Sequence, residues 1–423
     1  MKRSLFLSLA LATLLQASEI GELLHKLKSA PVTKAQNADA HIAKLYAQMA
    51  TDKLYPDITI FGSMEHYTND TNLRPVPPPE ANRLMAAHRP LPFAQNIQRI
   101  GAKFSMPIFV KSIFTLRKKA AYVAQAARLK AKLDLLHNEA LLVGAYARLN
   151  YLNELTKALQ ARKKALSKTK EDIEIKVQSG RAAPIALDKI TNVLGSIDIA
   201  LLNAQSDIEK TASLIEALVG TRPKAIAAIE QKSDLATDTI FALKPLQSEE
   251  KAARKELQAN KEQFLPKLVA EGSYTHSYAN KDAIFGKAVD RGYGYAALKL
   301  VIPLSKSDFT DIQIAKARLL RSDAELAKKR MELVAQAKAL QEQLRLNEKA
   351  QKLAAQQVVS QKNLLRYAKT ALAVGRMDEE EYLRYEVALL EAQTKLAQTR
   401  LQKWQILAQL AVIYGNDLER IVQ

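Results

Sequence analysis

Phe104-Ser105-Met106-Pro107-Ile108 opens a long helical pattern that ends at Gly220, and Leu300-Val301-Ile302-Pro303-Leu304 opens a second one that ends at Gly415. The proline and the glycine of the following tight turn are 73 residues apart in one copy and 72 in the other. In both copies 40 residues then separate the turn glycine from the final glycine. Such agreement predicts an internal duplication. The turn glycines are Gly180 and Gly375.

The composition favours long helices and excludes several kinds of site. The 423 residues include only 13 Gly and 14 Pro, too few for the many turns of a compact enzyme. There are no cysteines, so disulfides, zinc–thiolate sites, thiol nucleophiles and a lipidated cysteine are excluded. The net charge is +19, but Lys and Arg alternate with Glu and Asp along helices. This pattern is typical of solvated helix faces, and no nucleic-acid-binding motif accompanies it.

The N-terminus has the features of a secretory signal peptide. A positive start, Met1-Lys2-Arg3, precedes an apolar run over residues 5–15, and small residues follow at Gln16-Ala17-Ser18. The apolar run is shorter than the roughly 20 residues that a membrane-spanning helix needs. We therefore expect an exported protein that is cleaved after Ala17 or Ser18.

Four segments alternate apolar and polar residues with period two, which predicts β-strands. They form two hairpins, at about 57–108 and 267–303, one in each copy. Strands of roughly 10 residues suit a tilted strand that crosses a bilayer. Aromatic residues cluster near their ends, as at a membrane interface: Tyr55, Tyr67, Phe93, Phe109, Tyr278, Tyr293 and Tyr295. The alternative is two hairpins packed on a soluble core.

The long helical patterns carry a seven-residue apolar repeat. It runs through Ile312, Leu319, Leu326, Leu333 and Leu340 in the second copy, and through Tyr122, Leu129, Leu136 and Val143 in the first. A sustained seven-residue repeat predicts coiled-coil packing. On this feature alone, a soluble coiled-coil rod is an alternative.

Four strands cannot close a barrel, and lipid does not tolerate unpaired strand edges. The chain must therefore borrow strands from further copies; two chains would give a narrow barrel, and three would give one with a lumen. The predicted fold is mainly α with a small membrane β part, a duplicated helix–β-hairpin–long helix–helix unit. We predict a signal peptide (1–17), a first repeat (18–220, helical hairpin about 108–220), a connecting segment (221–250), a second repeat (251–415, helical hairpin about 304–415) and a tail (416–423).

The ordered set of these features resembles the TolC-type outer-membrane efflux channels, also called outer membrane factors. It is carried by the duplicated element order and by Tyr55-Pro56-Asp57, Leu265-Pro266-Lys267, Val374-Gly375-Arg376, Ala217-Leu218-Val219-Gly220 and Ala411-Val412-Ile413-Tyr414-Gly415. The resemblance implies a homotrimer with a 12-stranded barrel in the outer membrane of a Gram-negative bacterium and a helical tunnel in the periplasm. It implies a passive duct without cofactors, which docks onto a periplasmic adaptor and an inner-membrane pump or type I secretion transporter.

The resemblance also implies where the tunnel closes and where the adaptor docks. In the family, acidic residues after the second turn glycine form a constriction ring, and Glu381 occupies the first of these positions. The position three further on, often a second carboxylate, is Arg384, so Asp378, Glu379 or Glu380 could supply charge instead. Tyr382 and Arg376 are candidate partners of these carboxylates. The alternative is an exposed acidic helix start, which the helix dipole favours. Both turns meet the adaptor in this family, which points to Gly180, Arg181, Gly375 and Arg376.

No enzyme chemistry is indicated. The six histidines lack metal-ligand spacing, and neither a Gly-rich phosphate loop nor a nucleophile elbow is present. The main alternative function is an exported periplasmic coiled-coil adaptor or scaffold without a membrane barrel, and a second is a basic rod that binds polyanions. In a duct, the excess of basic over acidic residues would favour anionic cargo if basic side chains faced the lumen.

Overall fold

The computed structural model describes residues 19–181, 183–224 and 226–422, without the side chains of Glu379 and Glu380. The predicted signal peptide lies outside the described residues. No helix among the described residues is both long enough and apolar enough to cross a membrane.

The order of elements repeats. The first series comprises α1 (Glu19–Ser29), α2 (Pro31–Asp52), β1 (Asp57–Asn72), α3 (Pro78–Ala86), β2 (Phe93–Phe109), α4 (Lys111–Gln178) and α5 (Pro184–Val219). The second comprises α6 (Lys244–Glu262), β3 (Lys267–Ala279), β4 (Val289–Val301), α7 (Lys306–Ala373) and α8 (Glu379–Tyr414). Helices α4 and α7 both have 68 residues, and α5 and α8 both have 36. The predicted duplication of the fold is thus confirmed.

The chain divides into two compact units. One, the strand unit, consists of His41–Ala126 and Leu246–Leu326. The other, the helical unit, holds the described residues of Met1–Ala40, Ala127–Pro245 and Ala327–Gln423. Each unit takes segments from both repeats, because strands of one repeat pair with strands of the other.

In the strand unit, the four strands form one antiparallel sheet in the order β1-β2-β3-β4. Strand β1 is longer than the alternation predicted, because a register shift between His66 and Thr71 lets it pair on to Phe93. The segment between β1 and β2 contains helix α3, which begins at Pro78, where a proline is tolerated. A second register shift follows Pro107, since proline has no N–H to donate to the ladder.

In the helical unit, a core cluster joins α1, α4, α5 and α8 with the C-terminal segment. Its most completely buried members include Leu24, Leu27, Leu142, Val143, Ile215, Ala411 and Leu418. Of the predicted seven-residue repeats, Leu136, Val143, Leu333 and Leu340 are buried, and the other five members are half-buried. The C-terminal segment is held by α1, through ion pairs from Lys28 to Asp417 (3.1 Å) and to Glu419.

Candidate functional site

One face of the sheet is apolar and exposed. Its side chains include Ile60, Met64 and Leu298, which are 79%, 83% and 70% exposed. Further members are Ile58, Ile100, Phe104, Tyr274 and Leu300. A contiguous apolar surface of this kind marks contact with another protein or with lipid.

The opposite face, which we call the inner face, is polar. The guanidinium of Arg99 contacts Glu65 at 2.9 Å, and the Lys299 ammonium contacts Glu271 at 2.6 Å. Arg99 also donates to the Ser277 hydroxyl at 3.0 Å. Apolar residues on one face and polar ones on the other are typical of strands in a membrane barrel. With 13 to 17 residues, each strand exceeds the roughly 9–11 residues needed to cross the hydrocarbon layer.

Both edges of the sheet are open. Among the described residues, β1 pairs only with β2, and β4 pairs only with β3. These edge strands have 16 and 13 residues, so long rows of backbone N–H and C=O groups face away from the sheet. Edges of this length require a partner strand if the sheet lies in lipid.

The first helical turn joins α4 to α5. Gly180 adopts a left-handed conformation (φ 72°), which only glycine reaches without steric strain. The backbone N–H of Arg181 donates to the carbonyl of Lys176 at 2.7 Å, which closes the end of α4. Pro184 then starts α5 at its first turn. The side chain of Arg181 is exposed.

The second helical turn, between α7 and α8, has the same construction. Gly375 has φ 71°, and the N–H of Arg376 donates to the carbonyl of Ala371 at 2.9 Å. Each turn therefore presents a glycine followed by an arginine at the end of a 68-residue helix. The four predicted docking residues occupy equivalent places in the two repeats.

The structure gives the predicted gate residues different local roles. Asp378 caps α8, since its carboxylate accepts a hydrogen bond from the N–H of Glu381 at 2.8 Å. Glu381 and Arg384 are exposed. The Tyr382 hydroxyl donates to Glu386 Oε1 at 2.9 Å, one helical turn along α8. The side chains of Glu379 and Glu380 lie outside what the structure describes.

A buried charged side chain close to these residues is not among those predicted from the sequence. Arg162 of α4 is only 7% exposed, and its charge acts on that of Glu386. A sequence signal existed. Arg162 comes three residues after Leu159, in the seven-residue series Leu159, Leu166, Ile173, and Glu386 comes three residues after Leu383. Both therefore occupy inner positions of a coiled-coil repeat that apolar residues normally fill.

Burial sets the electrostatics of this group. It lowers the pKa of Arg162, against the opposing effect of Glu386 and Glu391. It raises the pKa of Glu386, against the Tyr382 hydrogen bond and the charge of Arg162. Burial and Glu386 together raise the pKa of Tyr382 to about 12. Arg162 Nη1 and Glu386 Oε2 have no hydrogen-bond partner among the described residues. Charges that lie in a helix interface without full hydrogen bonding are a weak source of stability.

One family model matches part of the chain. Residues 235–416 match the family model described as outer membrane efflux protein. By sequence, no curated protein matches the chain significantly.

The fold matches solved outer-membrane channels along nearly the whole chain. VceC from Vibrio cholerae is 16% identical with a TM-score of 0.74, over 94% of this chain and 96% of that one. The Campylobacter jejuni CmeC channel is 13% identical with a TM-score of 0.78, over 95% and 87%. The open state of the Neisseria gonorrhoeae MtrE channel is 15% identical with a TM-score of 0.77, over 95% and 90%.

These findings confirm the predicted resemblance to TolC-type channels and the mainly helical fold with its small β part. The description of the matching family model, outer membrane efflux protein, agrees with the predicted outer-membrane localisation. The gate and docking residues stay predictions.

Proposed function

We propose that the chain is the outer-membrane channel of a tripartite efflux pump or a type I secretion system. It is a passive exit duct rather than an enzyme. The observation that carries this proposal is the sheet, which has one exposed apolar face, one polar face and two open edges. In water such a sheet would expose both lipid-like surface and unpaired backbone. In a closed barrel within a membrane, the apolar face contacts lipid and the backbone groups of the edge strands are hydrogen-bonded.

Closure requires several copies of the chain. Each copy supplies four strands, so β4 of one copy pairs with β1 of the next. Three copies give 12 strands, enough for an open lumen, whereas the roughly 8 strands of a dimer would be filled by side chains. The homotrimer is therefore the assembly that makes a duct.

The two helical turns are the proposed docking surface for a periplasmic adaptor, which connects the duct to an inner-membrane transporter that supplies the energy. Each copy has two turns of the same backbone conformation, one at Gly180 and Arg181 and one at Gly375 and Arg376. Arg181→Glu should impair adaptor-dependent export, and Arg128→Glu, an exposed arginine within α4, is the control. Wild-type export by Arg181→Glu would exclude docking at that residue.

The proposed gate lies at the start of α8. Three copies of the exposed Glu381 would form a ring that attracts cations, and the acidic residues that precede it in the sequence, Asp378, Glu379 and Glu380, belong to the same candidate gate. Tyr382 and Arg384 lie on the same turns of the helix and join this candidate gate. Since Asp378 also caps α8, Glu381 is the residue whose removal tests the gate without removing the cap.

The test is single-channel conductance of the detergent-purified protein in planar bilayers, comparing wild type with Glu381→Ala. Small, cation-selective wild-type currents that grow or lose selectivity in the variant would support both duct and gate. Glu348→Ala, an exposed carboxylate on α7, is the matched control. If Glu381→Ala leaves the wild-type currents unchanged, the channel function is supported but the gate must lie at other residues. A protein that is soluble without detergent and forms no channel would instead favour the coiled-coil adaptor or scaffold.

A further inference from the structure

The inner face of the sheet has an excess of basic side chains. Directly paired residues of an antiparallel sheet point to the same side, and the row Ser63, Arg99, Ser277, Arg291 therefore defines this face. Along the regular part of the ladder it carries five basic and three acidic side chains. The basic ones are Arg99, Lys103, Lys267, Arg291 and Lys299, and the acidic ones are Asp57, Glu65 and Glu271.

Ion pairs neutralise two of the acidic residues on this face. Glu65 pairs with Arg99, and Glu271 pairs with Lys299. Three basic residues and one acidic residue, Asp57, remain. This face therefore carries two positive charges in excess on each copy. Of the three, Arg291 lies at the strand end, with its guanidinium 3.9 Å from the carboxylate of its neighbour Asp290. Lys103 and Lys267 are the basic side chains of this face for which the structure records no ion pair.

Lys103 is held in place on the inner face by an aromatic ring. Its ammonium lies 4.8 Å from the centroid of the Phe61 ring, within cation–π range. The Phe61 ring lies against Gly101, where a β-carbon would come 2.8 Å from Phe61 Cζ and closer still to the Tyr274 carbonyl oxygen. Glycine at 101 therefore makes room for the ring, and the ring supports the ammonium. Lys103 remains exposed, so its charge would face the lumen of a closed barrel.

We propose that this basic lining selects anionic solutes as the cargo of the barrel. The inference rests on the proposed function, because only a closed barrel turns the inner face into a lumen. Within a low-dielectric wall the excess charges of all copies add to one positive potential, which concentrates anions and excludes cations. The proposed acidic gate at Glu381 has the opposite preference, so the barrel and the gate must be separated in any test.

The experiment measures reversal potentials in asymmetric KCl, with Glu381→Ala as the background that weakens the gate. The background protein should pass chloride in preference to potassium. Adding Lys103→Gln and Lys267→Gln should lower the chloride-to-potassium permeability ratio by at least about two-fold. The matched control, Lys103→Arg with Lys267→Arg, keeps both charges and should keep the ratio.

The outcomes distinguish this inference from the proposed function. Channels that conduct but prefer potassium in the Glu381→Ala background would overturn the basic lining while leaving the duct intact. An unchanged chloride-to-potassium permeability ratio in the variant with both Lys103→Gln and Lys267→Gln would also overturn the basic lining. Failure of the Glu381→Ala protein to form any channel, when wild type forms none either, would overturn the duct and the inference together.

Discussion

The backbone N–H of Leu418 donates a hydrogen bond to Glu139 Oε2 at 3.0 Å, so a carboxyl group of α4 holds a C-terminal segment 279 residues away. Glu139 is 1% exposed, and its second oxygen has no hydrogen-bond partner among the described residues. The charged groups around it are Asp417, Glu419 and Lys28, and His25 contacts Glu419 at 3.6 Å. Burial, helped by the two carboxylates, raises the pKa of Glu139 to about 7, although the Leu418 N–H and Lys28 oppose the shift.

We expect this contact to weaken as the pH rises. Because the pKa of Glu139 is higher in the folded protein than its ordinary 4.5, its stabilisation is complete below 4.5 and is lost as the pH rises through about 7. The difference corresponds to about 3 kcal/mol in the free energy of unfolding. Glu139→Gln keeps the hydrogen bond but cannot ionise, so its melting temperature should fall less than that of wild type between pH 5 and pH 8.

Circular dichroism melts of the detergent-solubilised protein at both pH values make this comparison. Glu348→Gln, at an exposed glutamate, is the control and should follow wild type. Equal pH dependence in wild type and Glu139→Gln would contradict a titrating Glu139.

A second prediction concerns Arg162 and Glu386. Replacing Arg162 leaves the half-buried Glu386 without the opposite charge that acts on it. Arg162→Met should therefore lower the free energy of unfolding by about 1–3 kcal/mol. The double variant Arg162→Met with Glu386→Gln removes both charges and should be more stable than Arg162→Met alone.

Chemical unfolding of wild type, the two single variants and the double variant gives the coupling energy. Losses that simply add would show that the two charges do not interact in the folded protein. Tyr382→Phe is a useful fifth protein, because it removes only the hydrogen bond to Glu386.

A third prediction separates the capping role of Asp378 from any role in gating. Asp378→Ala removes the side-chain acceptor for the Glu381 N–H and should destabilise the start of α8 by about 1 kcal/mol. Asp378→Asn keeps a good cap but removes the charge. Hydrogen exchange in the first turn of α8 should therefore be faster in the alanine variant and near wild type in the asparagine variant. Equal exchange in all three proteins would exclude the cap.

The sequence predicted the duplication, the four strands and the buried heptads because each depends on local periodicity and on the placement of Gly and Pro. The positive φ of Gly180 and Gly375 shows why glycine recurs at the two turns. Helix α3 is harder to predict, because the three consecutive prolines Pro77-Pro78-Pro79 favour a loop, yet proline fits the first helical turn.

The buried charges could not be recognised so directly. Arg162, Glu139 and Glu386 lie in stretches rich in Lys and Glu, where a charged residue is ordinarily solvent-exposed. Only the heptad phase distinguishes Arg162 and Glu386 from their neighbours. For Glu139 the decisive partner is a backbone N–H of Leu418, which comes from tertiary structure alone.

The loop between β3 and β4 is organised by one carboxylate, Asp282, which is 5% exposed. It accepts backbone N–H bonds from Leu91 (3.3 Å), Ile284 (3.3 Å), Phe285 (3.1 Å) and Lys287 (2.7 Å). Burial alone would raise the pKa of Asp282, but these bonds outweigh it and lower the pKa below 3.8. The stabilisation is therefore present above pH 3.8 and is lost only as the pH falls through the lower, folded-state value.

Our last prediction is that Asp282→Ala opens this loop at neutral pH. Four backbone N–H groups lose their acceptor, so trypsin should cleave after the exposed Lys281 or Lys287 at least about 10-fold faster than in wild type. Asp282→Asn keeps one of the two acceptor oxygens and should give an intermediate rate. Mass spectrometry of a timed digest locates the cuts, and a rate for Asp282→Ala equal to wild type would show that other contacts hold the loop.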